Sequence, residues 1–361
     1  MTNRTYIIAE AGVNHNGDVN WAMELVDAAV EAQANAVKFQ TFRAEKLAAK
    51  SVPKADYQVH SSAPAESQLQ MLKRLELSPE AHLMLKEYCQ GKGIDFMSTP
   101  FDEESLDFLI KGMGLRQIKI SSGDLTNAPL LLKAAQSGKP IILSTGMSTL
   151  AEIEAALAVL AYGYTRSNQS LAPSLKQFEQ ALFSVEGRAA LINKVELLHC
   201  TTEYPAPFDE VNLRAMTTMQ RAFGLPVGLS DHTPGIAIPV AAVALGATII
   251  EKHFTLDKTL PGPDHRASLE PSELKQMVLA IRQTEQALGS QLKAPTPSEL
   301  KNKAVARKCL VASRSIRTGE VFTTENLTVK RAGDGISPFR YWEALGQKAT
   351  QDYQADEKVV L

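Results

Sequence analysis

Cysteine is scarce in this 361-residue sequence, and its scarcity excludes two kinds of site. The three cysteines, Cys89, Cys200 and Cys309, lie far apart and form no CxxC pair. Disulfide frameworks and thiolate zinc sites need more cysteines at closer spacing, so we expect neither. Isolated thiols are typical of a reducing compartment, and we therefore expect a cytoplasmic protein.

The sequence also lacks an excess of charge of either sign. Its 38 basic and 40 acidic residues give a formal net charge of −2. This balance creates no overall field that would attract nucleic acid or an anionic membrane, although it allows a local basic pocket. A secretory signal is not expected either, because Glu10 ends the first apolar run, residues 6–9, too early.

Long apolar runs are rare as well. Residues 232–250, HTPGIAIPVAAVALGATII, contain no Asp, Glu, Lys or Arg and nominally reach the length of a membrane span. Pro234, Gly235, Pro239 and Gly246 interrupt this stretch, and such residues disfavour one continuous helix. We predict a buried helix followed by a buried strand, and we expect neither a membrane nor a nucleic acid as a partner.

The sequence does contain a regular alternation of apolar strands and amphipathic helices. Hydrophobic residues make up 44% of the chain, which suffices for a full core. Apolar runs that alternate with helices are typical of a parallel sheet covered by helices. Predicted strands cover residues 6–10, 36–40, 94–98, 117–121, 140–144, 195–200, 226–230 and 248–252. Predicted helices cover residues 20–34, 67–75, 79–91, 103–111, 128–137, 150–160, 211–222, 238–245 and 271–288, with another helix within 161–194.

Eight strand–helix units in the first 289 residues predict an α/β fold, the (β/α)8 TIM barrel. An open doubly wound sheet remains the alternative, because counting strands does not prove closure. Gly289 and the Ala-Pro-Thr-Pro segment at 294–297 end the helical pattern, and short β-prone pieces with polar turns follow. We therefore predict a barrel domain over 1–289, a linker over 290–303 and a small mixed domain over 304–361.

Polar residues cluster where the predicted strands end. In a TIM barrel these carboxyl ends face one mouth, which is where active sites form. The ends combine lysines, hydroxyls, histidines and carboxylates, and they include Glu10, Lys38, Gln40, Thr99, Lys119, Ser122, Asp124, Ser144, Tyr204, Ser230, His232, Glu251 and His253.

Two of these residues are lysines inside apolar strands, Lys38 in VKFQ and Lys119 in IKIS. A buried ammonium group loses hydration free energy unless an anion compensates it. The anion could be Glu10, Glu251 or Asp124 in a structural salt bridge. Two such lysines among hydroxyl-rich strand ends favour a small ligand that carries phosphate or carboxylate.

His232 and His253 follow neighbouring strands, the seventh and the eighth. Two converging imidazoles can bind a divalent cation such as Mn²⁺, with water, a carboxylate or substrate oxygens as further ligands. General acid–base catalysis by either histidine is the alternative. Asp264 lies in a proline-rich turn at 260–265, where it could accept hydrogen bonds from sugar hydroxyls or simply be solvated. The glycine-containing loop at 12–17 lacks GxGxxG, so no dinucleotide site is expected.

Taken together, these segments resemble the sialic acid synthase (NeuB) family, whose enzymes condense phosphoenolpyruvate with an N-acylated mannosamine-type sugar. The C-terminal domain is similar to the family's antifreeze-like (SAF) module. The similar segments run in family order over nearly the whole chain: IIAEAGVNHNG at 7–17, AVKFQTF at 36–42, STPFD at 98–102, IKISSGD at 118–124, ILSTGM at 142–147, LHCTTEYPAPFDEVNL at 198–213, GLSDHT at 228–233, EKHFTLDKTLPGPDH at 251–265 and KRAGDGISP at 330–338.

The resemblance implies roles for the matching residues. It implies a phosphoenolpyruvate site formed by Lys38, Thr99, Lys119, Ser122, Ser144, Ser230 and His253. It implies a divalent metal, Mn²⁺ before Mg²⁺ or Co²⁺, bound by His232 and His253. It implies contacts to the acceptor sugar from Glu10, Gln40, Asp124, Tyr204, Asp264 and Arg331, with catalysis by Glu10, Asp124 and His253.

The resemblance also implies an assembly and a reaction. Arg331 would reach the active site of the other subunit in a domain-swapped homodimer and touch the acyl group of the sugar. We expect a transferase that joins phosphoenolpyruvate, N-acetylmannosamine and water to give N-acetylneuraminate and phosphate, with cleavage of the C–O bond of the enol phosphate. An N,N'-diacetyllegionaminate synthase that uses 2,4-diacetamido-2,4,6-trideoxymannose is the alternative. A different metal-assisted aldolase and a non-catalytic saccharide-binding protein are more distant ones.

Overall fold

Eight parallel strands form the frame of the first of two structural units. The structure is a computed structural model that describes residues 4–49, 67–166 and 173–361, and the chain divides into the units Met1–Gly289 and Ser290–Leu361. The strands of the first unit are β1 Tyr6–Gly12, β2 Ala36–Thr41, β3 Asp95–Pro100, β4 Ile118–Ile120, β5 Ile141–Ser144, β6 Val195–Cys200, β7 Val227–Asp231 and β8 Ile249–His253.

The pairing order of the strands shows a nearly closed barrel. Hydrogen bonds connect them in the order β3-β2-β1-β8-β7-β6-β5-β4, and β3 and β4, at the two ends of this order, lie against each other. The TIM-like α/β fold class predicted from the sequence is therefore confirmed, and the open sheet is excluded. Every carboxyl end of these strands faces the same mouth, as parallel closure requires.

Helices follow the strands because the sequence supplies their start and stop signals. The Asp18 side chain accepts hydrogen bonds from the backbone N–H groups of Asn20 and Trp21, and Thr149 forms a capping box with Glu152. The helices of this unit include Val19–Glu31, Ala44–Leu47, Gln68–Leu75, Pro79–Lys92, Glu103–Asp107, Ala128–Gln136, Leu150–Thr165, Leu175–Phe183, Val185–Lys194, Arg214–Phe223, Ala237–Ala244 and Pro271–Leu288.

Side-chain alternation along each strand separates two apolar layers. A small layer fills the barrel interior and contains Ile8, Ala36, Met97, Ile142, Leu198 and Ile249. A larger core joins the outer faces of the strands to the helices and includes Ile250 of β8. Odd-numbered residues of β8 therefore face the interior and even-numbered ones face the helices.

Several elements differ from the sequence prediction; for example, the one helix expected within 161–194 is two helices, Leu175–Phe183 and Val185–Lys194. The predicted helix 103–111 ends at Asp107 and continues as a π-helical turn, Phe108–Gly112. The predicted helix 150–160 extends to Thr165. A helix, Pro297–Ala306, begins in the predicted linker because Thr296 caps it together with Glu299, and Pro297 occupies its first turn.

The uncharged stretch at 232–250 forms the predicted helix and strand. The strand is buried as expected, but the helix buries only Pro239, Ala242 and Val243. Helix Ala237–Ala244 and strand β8 divide it, with a turn at Gly246 between them. Among the described residues, no helix combines the length and the apolar character needed to cross a membrane. All three cysteines are buried and free, and the cytoplasmic location stays a prediction.

The second unit is small and mixed, as expected. Strands β9 Cys309–Ala312 and β10 Leu327–Lys330 pair antiparallel. Its own core packs around Leu310, Phe322 and Tyr353. Arg331 directly follows β10 and is exposed.

Candidate active site

A cavity of about 560 Å³ opens at the carboxyl ends of the barrel strands. Every site residue predicted within the first unit lines it: Glu10, Lys38, Gln40, Thr99, Lys119, Ser122, Asp124, Ser144, Tyr204, Ser230, His232, His253 and Asp264. Arg331, the remaining predicted residue, belongs to the second unit.

Strand register brings the charged residues to one level. Glu10 of β1 is opposite Lys38 of β2 on one side and His253 of β8 on the other. Ser230 of β7 is opposite Glu251 of β8. A slip of one residue in any of these strands would turn these side chains away from the cavity.

Both predicted lysines are buried and paired with carboxylates. Lys38 Nζ lies 2.5 Å from Glu10 Oε2 and 3.7 Å from Glu251 Oε2, and it donates to Thr99 Oγ1 at 3.0 Å. Lys119 Nζ lies 3.3 Å from Glu251 Oε1. We call Glu10, Lys38, Lys119 and Glu251 the lysine–carboxylate cluster.

The salt bridges anticipated from the sequence are therefore present in the structure. Glu10 and Glu251 form them. Asp124 instead accepts hydrogen bonds from Ser121 Oγ at 2.7 Å and from Asn127 Nδ2 at 3.0 Å.

Burial and charge act in opposite directions on this cluster. Burial raises the pKa of Glu10 to about 7, and the nearby Lys38 offsets only part of this effect. For Glu251 burial acts in the same direction, but Lys119 and Lys38 outweigh it and lower its pKa to about 2. Burial lowers the pKa of Lys119 more than Glu251 raises it. Because Glu251 stays ionised whereas burial disfavours the ionised form of Glu10, the negative charge of the cluster does not balance its two ammonium groups, and the cluster favours a bound anion.

Glu251 was recognised from the sequence as a counter-ion but not predicted as a site residue. It contacts both lysines and accepts a hydrogen bond from Ser230 Oγ at 2.8 Å. The available signal was its position two residues before His253, because residues two apart in a strand share a face.

The imidazoles of His232 and His253 lie together, with ring centroids 5.6 Å apart. His232 Nδ1 is 2.6 Å from the carbonyl oxygen of Thr201. Because a carbonyl only accepts, Nδ1 carries the proton and the neutral ring has its lone pair on Nε2. The ring of Tyr204 packs against His232 with a tilt of 33° and 4.2 Å between centroids, and it meets His253 edge-on at 5.6 Å.

Burial keeps both imidazoles neutral, which is the form that binds metals. It lowers the pKa of His232 to about 4 and that of His253 well below its usual value. In the described ranges, no group of three or more His, Cys, Asp or Glu residues is arranged to hold a metal ion. The chain therefore offers two imidazole ligands, and a cation bound there would need oxygen ligands from water or substrate.

Asp264 is a buried carboxylate, so the solvated turn considered for it is excluded. It is 8% exposed, and its Oδ2 lies 3.8 Å from His253 Nδ1. Burial raises its pKa to about 6, and the charge of Lys38 lowers it to a smaller extent.

Several polar atoms at this mouth lack a hydrogen-bond partner among the described residues. They include Ser144 Oγ, Thr202 Oγ1 and His253 Nδ1. Buried polar groups are normally satisfied, so these atoms mark where a ligand or water would bind. Gly146 allows the tight packing, because a Cβ there would lie 2.3 Å from Thr202 Oγ1 and its N–H donates to Ser122 Oγ at 2.9 Å.

One side of the cavity is apolar, which sequence reasoning missed. Helices Ala44–Leu47 and Gln68–Leu75 contribute most of it, and Ser67 caps the second helix through a capping box with Gln70. We call this surface the apolar wall; it consists of Val13, Leu47, Ala48, Met71, Leu72, Leu75 and Phe101. The spacing of the leucines and the methionine in 71–75 was the available signal.

Comparisons with known proteins agree with this architecture. Residues 25–293 match the NeuB family and residues 307–359 match the SAF domain. The chain therefore belongs to the NeuB family, and the resemblance inferred from its motifs is confirmed. As a member it is a phosphoenolpyruvate-dependent enzyme that forms a carbon–carbon bond.

Individual relatives cover nearly the whole chain. The chain is 50% identical to the N,N'-diacetyllegionaminic acid synthase of Campylobacter jejuni over 99% of both sequences. It is 45% identical to the N,N'-diacetyllegionaminic acid synthase of Legionella pneumophila, over 97% of this chain and 92% of that protein. The crystal structure of N-acetylneuraminic acid synthetase from Leptospira borgpetersenii is 35% identical, with a TM-score of 0.66 and coverage of 83% of this chain and 90% of that one.

Proposed function

We propose that the protein is an N,N'-diacetyllegionaminate synthase. It would condense phosphoenolpyruvate, 2,4-diacetamido-2,4,6-trideoxymannose and water, and release phosphate. The observation that carries this proposal is the 50% identity to an enzyme of that name over 99% of both chains. The relatives thus favour the alternative sugar over N-acetylmannosamine, the sugar expected first from the sequence.

The apolar wall supports this choice of sugar. The trideoxy sugar carries a methyl group at C6 and an acetamido group at C4, where N-acetylmannosamine carries hydroxyl groups. Leu72 and Phe101 are only half-buried, and Leu47 is exposed, so they can contact methyl groups of a ligand. A hydroxyl group placed against these apolar side chains gains no hydrogen bond from them, which disfavours the hydroxylated sugar.

The lysine–carboxylate cluster would bind phosphoenolpyruvate. Its two ammonium groups can donate charge-assisted hydrogen bonds to the phosphate and carboxylate. The hydroxyl groups of Thr99, Ser122, Ser144 and Ser230 line the same cavity and can complete the set of donors. Holding the enol carbon against the aldehyde in this way supplies much of the rate, because it removes the entropy cost of their encounter.

His232 and His253 would hold a divalent cation, for which Mn²⁺ is the first choice. Their neutral rings and the lone pair on His232 Nε2 fit this role. When bound, such a cation supplies Lewis-acid polarisation of the sugar aldehyde.

Glu10 suits the proton transfers of the reaction. The enol carbon bonds to the aldehyde carbon, and positive charge develops at the carbon that bears the phosphate. Water adds to that carbon. Glu10, with its pKa of about 7, can donate a proton to the new alkoxide and then, as a carboxylate, take the proton that the added water releases. Cleavage of the C–O bond then releases phosphate, so that one water proton ends on the new hydroxyl and the other on phosphate. Asp124, already bonded to Ser121 and Asn127, suits contact with the sugar better than proton transfer.

The assembly expected from the resemblance is also part of the proposal. The chain would act as a homodimer in which Arg331 contacts the acyl group of a sugar bound to the partner subunit. Its exposed position directly after β10 leaves its guanidinium accessible for such a contact.

The acceptor is tested by assaying purified protein with phosphoenolpyruvate, Mn²⁺ and each sugar in parallel. We expect phosphate release and a nonulosonate product with the trideoxy sugar, at a kcat/KM at least about 10-fold above that for N-acetylmannosamine. A preference for N-acetylmannosamine would overturn the choice of sugar, and no phosphate release with either would overturn the proposed function.

A further inference from the structure

An ion pair is buried behind the two histidines, outside the cavity. Lys252 Nζ lies 2.5 Å from Asp231 Oδ2, and their side chains are 0% and 1% exposed. The two residues are opposite each other in the register of β7 and β8. Because Glu251 and His253 face the cavity, Lys252 between them faces the helix side of the strand.

Both charges bind the residue that follows His232. Asp231 Oδ1 accepts hydrogen bonds from the backbone N–H of Thr233 at 3.1 Å and from its Oγ1 at 2.9 Å. Lys252 Nζ donates to the carbonyl oxygen of Thr233. Residues 231–233 are therefore closed into a turn that has His232 at its centre.

The same turn is fixed on its other side. The carbonyl oxygen of His232 accepts a hydrogen bond from the N–H of Ala206 at 2.9 Å. The Nδ1–H of the His232 ring donates to the carbonyl oxygen of Thr201 at 2.6 Å. Any rotation of the turn would break these bonds, and with them the tautomer that leaves the lone pair on Nε2.

Stability alone explains this ion pair poorly. Removing two charges from water is costly, and well-packed apolar residues of similar size often stabilise a protein as well or better. Lys252 and Asp231 do not line the cavity, so they do not bind the substrate directly. What the pair supplies is a fixed direction for the turn, because its contacts are directional and apolar packing is not.

We propose that Lys252 and Asp231 are positioning residues that fix the His232 imidazole for binding a divalent cation. This inference rests on the metal role in the proposed function. Groups that orient a metal ligand from behind typically change metal affinity by about 10–100-fold when they are removed.

The test is Mn²⁺ affinity of the full-length protein, measured by electron paramagnetic resonance of free Mn²⁺. We expect Lys252→Met to weaken Mn²⁺ binding by about 10–100-fold. Lys258→Met is the matched control. Lys258 is a nearby lysine that pairs with Glu273 at 2.5 Å, and the Lys258 side chain is 33% exposed. The control should keep the wild-type affinity.

Two further variants separate positioning from folding. Thr233→Val removes the hydroxyl donor without leaving a buried charge unpaired, and it should weaken Mn²⁺ binding to a smaller extent. The apolar double variant Asp231→Leu/Lys252→Met should have a higher unfolding midpoint than Lys252→Met, because it leaves no buried charge unpaired. Its Mn²⁺ affinity should stay as low as that of Lys252→Met. Recovery of both, or a folded Lys252→Met or Thr233→Val protein with wild-type affinity, would overturn the proposal.

A second readout does not depend on the metal. ¹⁵N NMR of the metal-free protein reports which nitrogen of His232 carries the proton, and we expect Thr233→Val to shift this tautomer equilibrium. If wild-type protein binds no Mn²⁺, the metal role fails, whereas an unchanged tautomer in Thr233→Val shows that the positioning role itself is wrong.

Discussion

At the residue scale, Glu251 is the carboxylate that contacts both buried lysines of the cavity. Its carboxylate lies near the ammonium groups of both Lys38 and Lys119, at 3.7 Å and 3.3 Å. These contacts keep its pKa low, whereas burial raises that of Glu10. Two similar carboxylic acids in one cluster thus have different charge states, which separates a permanent counter-ion from a group that exchanges protons.

Glu10 should make phosphoenolpyruvate binding dependent on proton uptake. An anion bound beside it further disfavours the ionised carboxylate, so its pKa, about 7 in the free protein, rises on binding. Binding at pH 7.5 should therefore take up part of a proton through Glu10, and the difference in proton uptake between the wild type and Glu10→Gln should vanish near pH 5, where Glu10 is already protonated. Isothermal titration calorimetry in buffers with different ionisation enthalpies measures this uptake.

Glu10→Gln is the control for this prediction. It keeps the shape of the side chain but carries no titrating group, so its proton uptake at pH 7.5 should be smaller than in the wild type. Equal uptake in both proteins would show that another group supplies the effect.

At the element scale, strand β8 serves two structures at once. Its inward residues Glu251 and His253 line the cavity, and Lys252 between them supports the turn of the neighbouring strand. A strand that carries three consecutive charged or titratable residues would be unfavourable in an ordinary core. Here Glu251 pairs with Lys38 and Lys119 on the cavity side, and Lys252 pairs with Asp231 on the helix side.

Helix Gln68–Leu75 is the element that should set the choice of sugar. Leu72→Gln places an amide on the apolar wall, where it can hydrogen-bond a hydroxyl group and no longer matches a methyl group. We expect kcat/KM for the trideoxy sugar to fall about 10-fold relative to that for N-acetylmannosamine, with the KM for phosphoenolpyruvate unchanged. Parallel steady-state assays with the two sugars measure this ratio.

The matched control is Leu83→Gln, which changes a leucine that is 42% exposed and does not line the cavity. Its ratio of kcat/KM for the trideoxy sugar to kcat/KM for N-acetylmannosamine should equal that of the wild type. An unchanged ratio in Leu72→Gln as well would mean that the apolar wall does not contact the distinguishing groups of the sugar.

Much of this architecture was readable from the sequence because strand and helix signals are local. The predicted strand 195–200 coincides with Val195–Cys200, and the predicted helix 271–288 with Pro271–Leu288. The residues of β1 and β7 that lie opposite Glu251 and Lys252 depend on strand register, which no local pattern specifies. The apolar wall depends on how helix Gln68–Leu75, in the connection between β2 and β3, packs over the mouth of the barrel. Its position was therefore visible only in the structure.

At the scale of the whole molecule, the proposed homodimer makes a prediction about mixed subunits. Lys119→Ala should abolish phosphoenolpyruvate binding in its own barrel, and Arg331→Ala should impair the sugar contact it provides to its partner. In a mixed dimer, one barrel keeps Lys119 and receives an intact Arg331 from the other chain. We therefore expect mixing the two variants under exchange to recover up to about one half of the wild-type activity per exchanged dimer.

The measurement is phosphate release after exchange, with mixed dimers verified by differently tagged chains. Mixing two preparations of Lys119→Ala is the control, and it should recover nothing. Verified mixed dimers without recovered activity would show that each active site is built from one chain.

The placement of Glu251 between two ammonium groups has a consequence for how the enzyme meets its substrate. In an empty site without it, two like charges would repel each other and their long side chains would adopt many rotamers. With it, both amines are already oriented when the ligand arrives, so the ordering entropy is lost once, during folding, and not at each catalytic cycle. Because the amines are already oriented, more of the free energy of their contacts is available to stabilise the transition state.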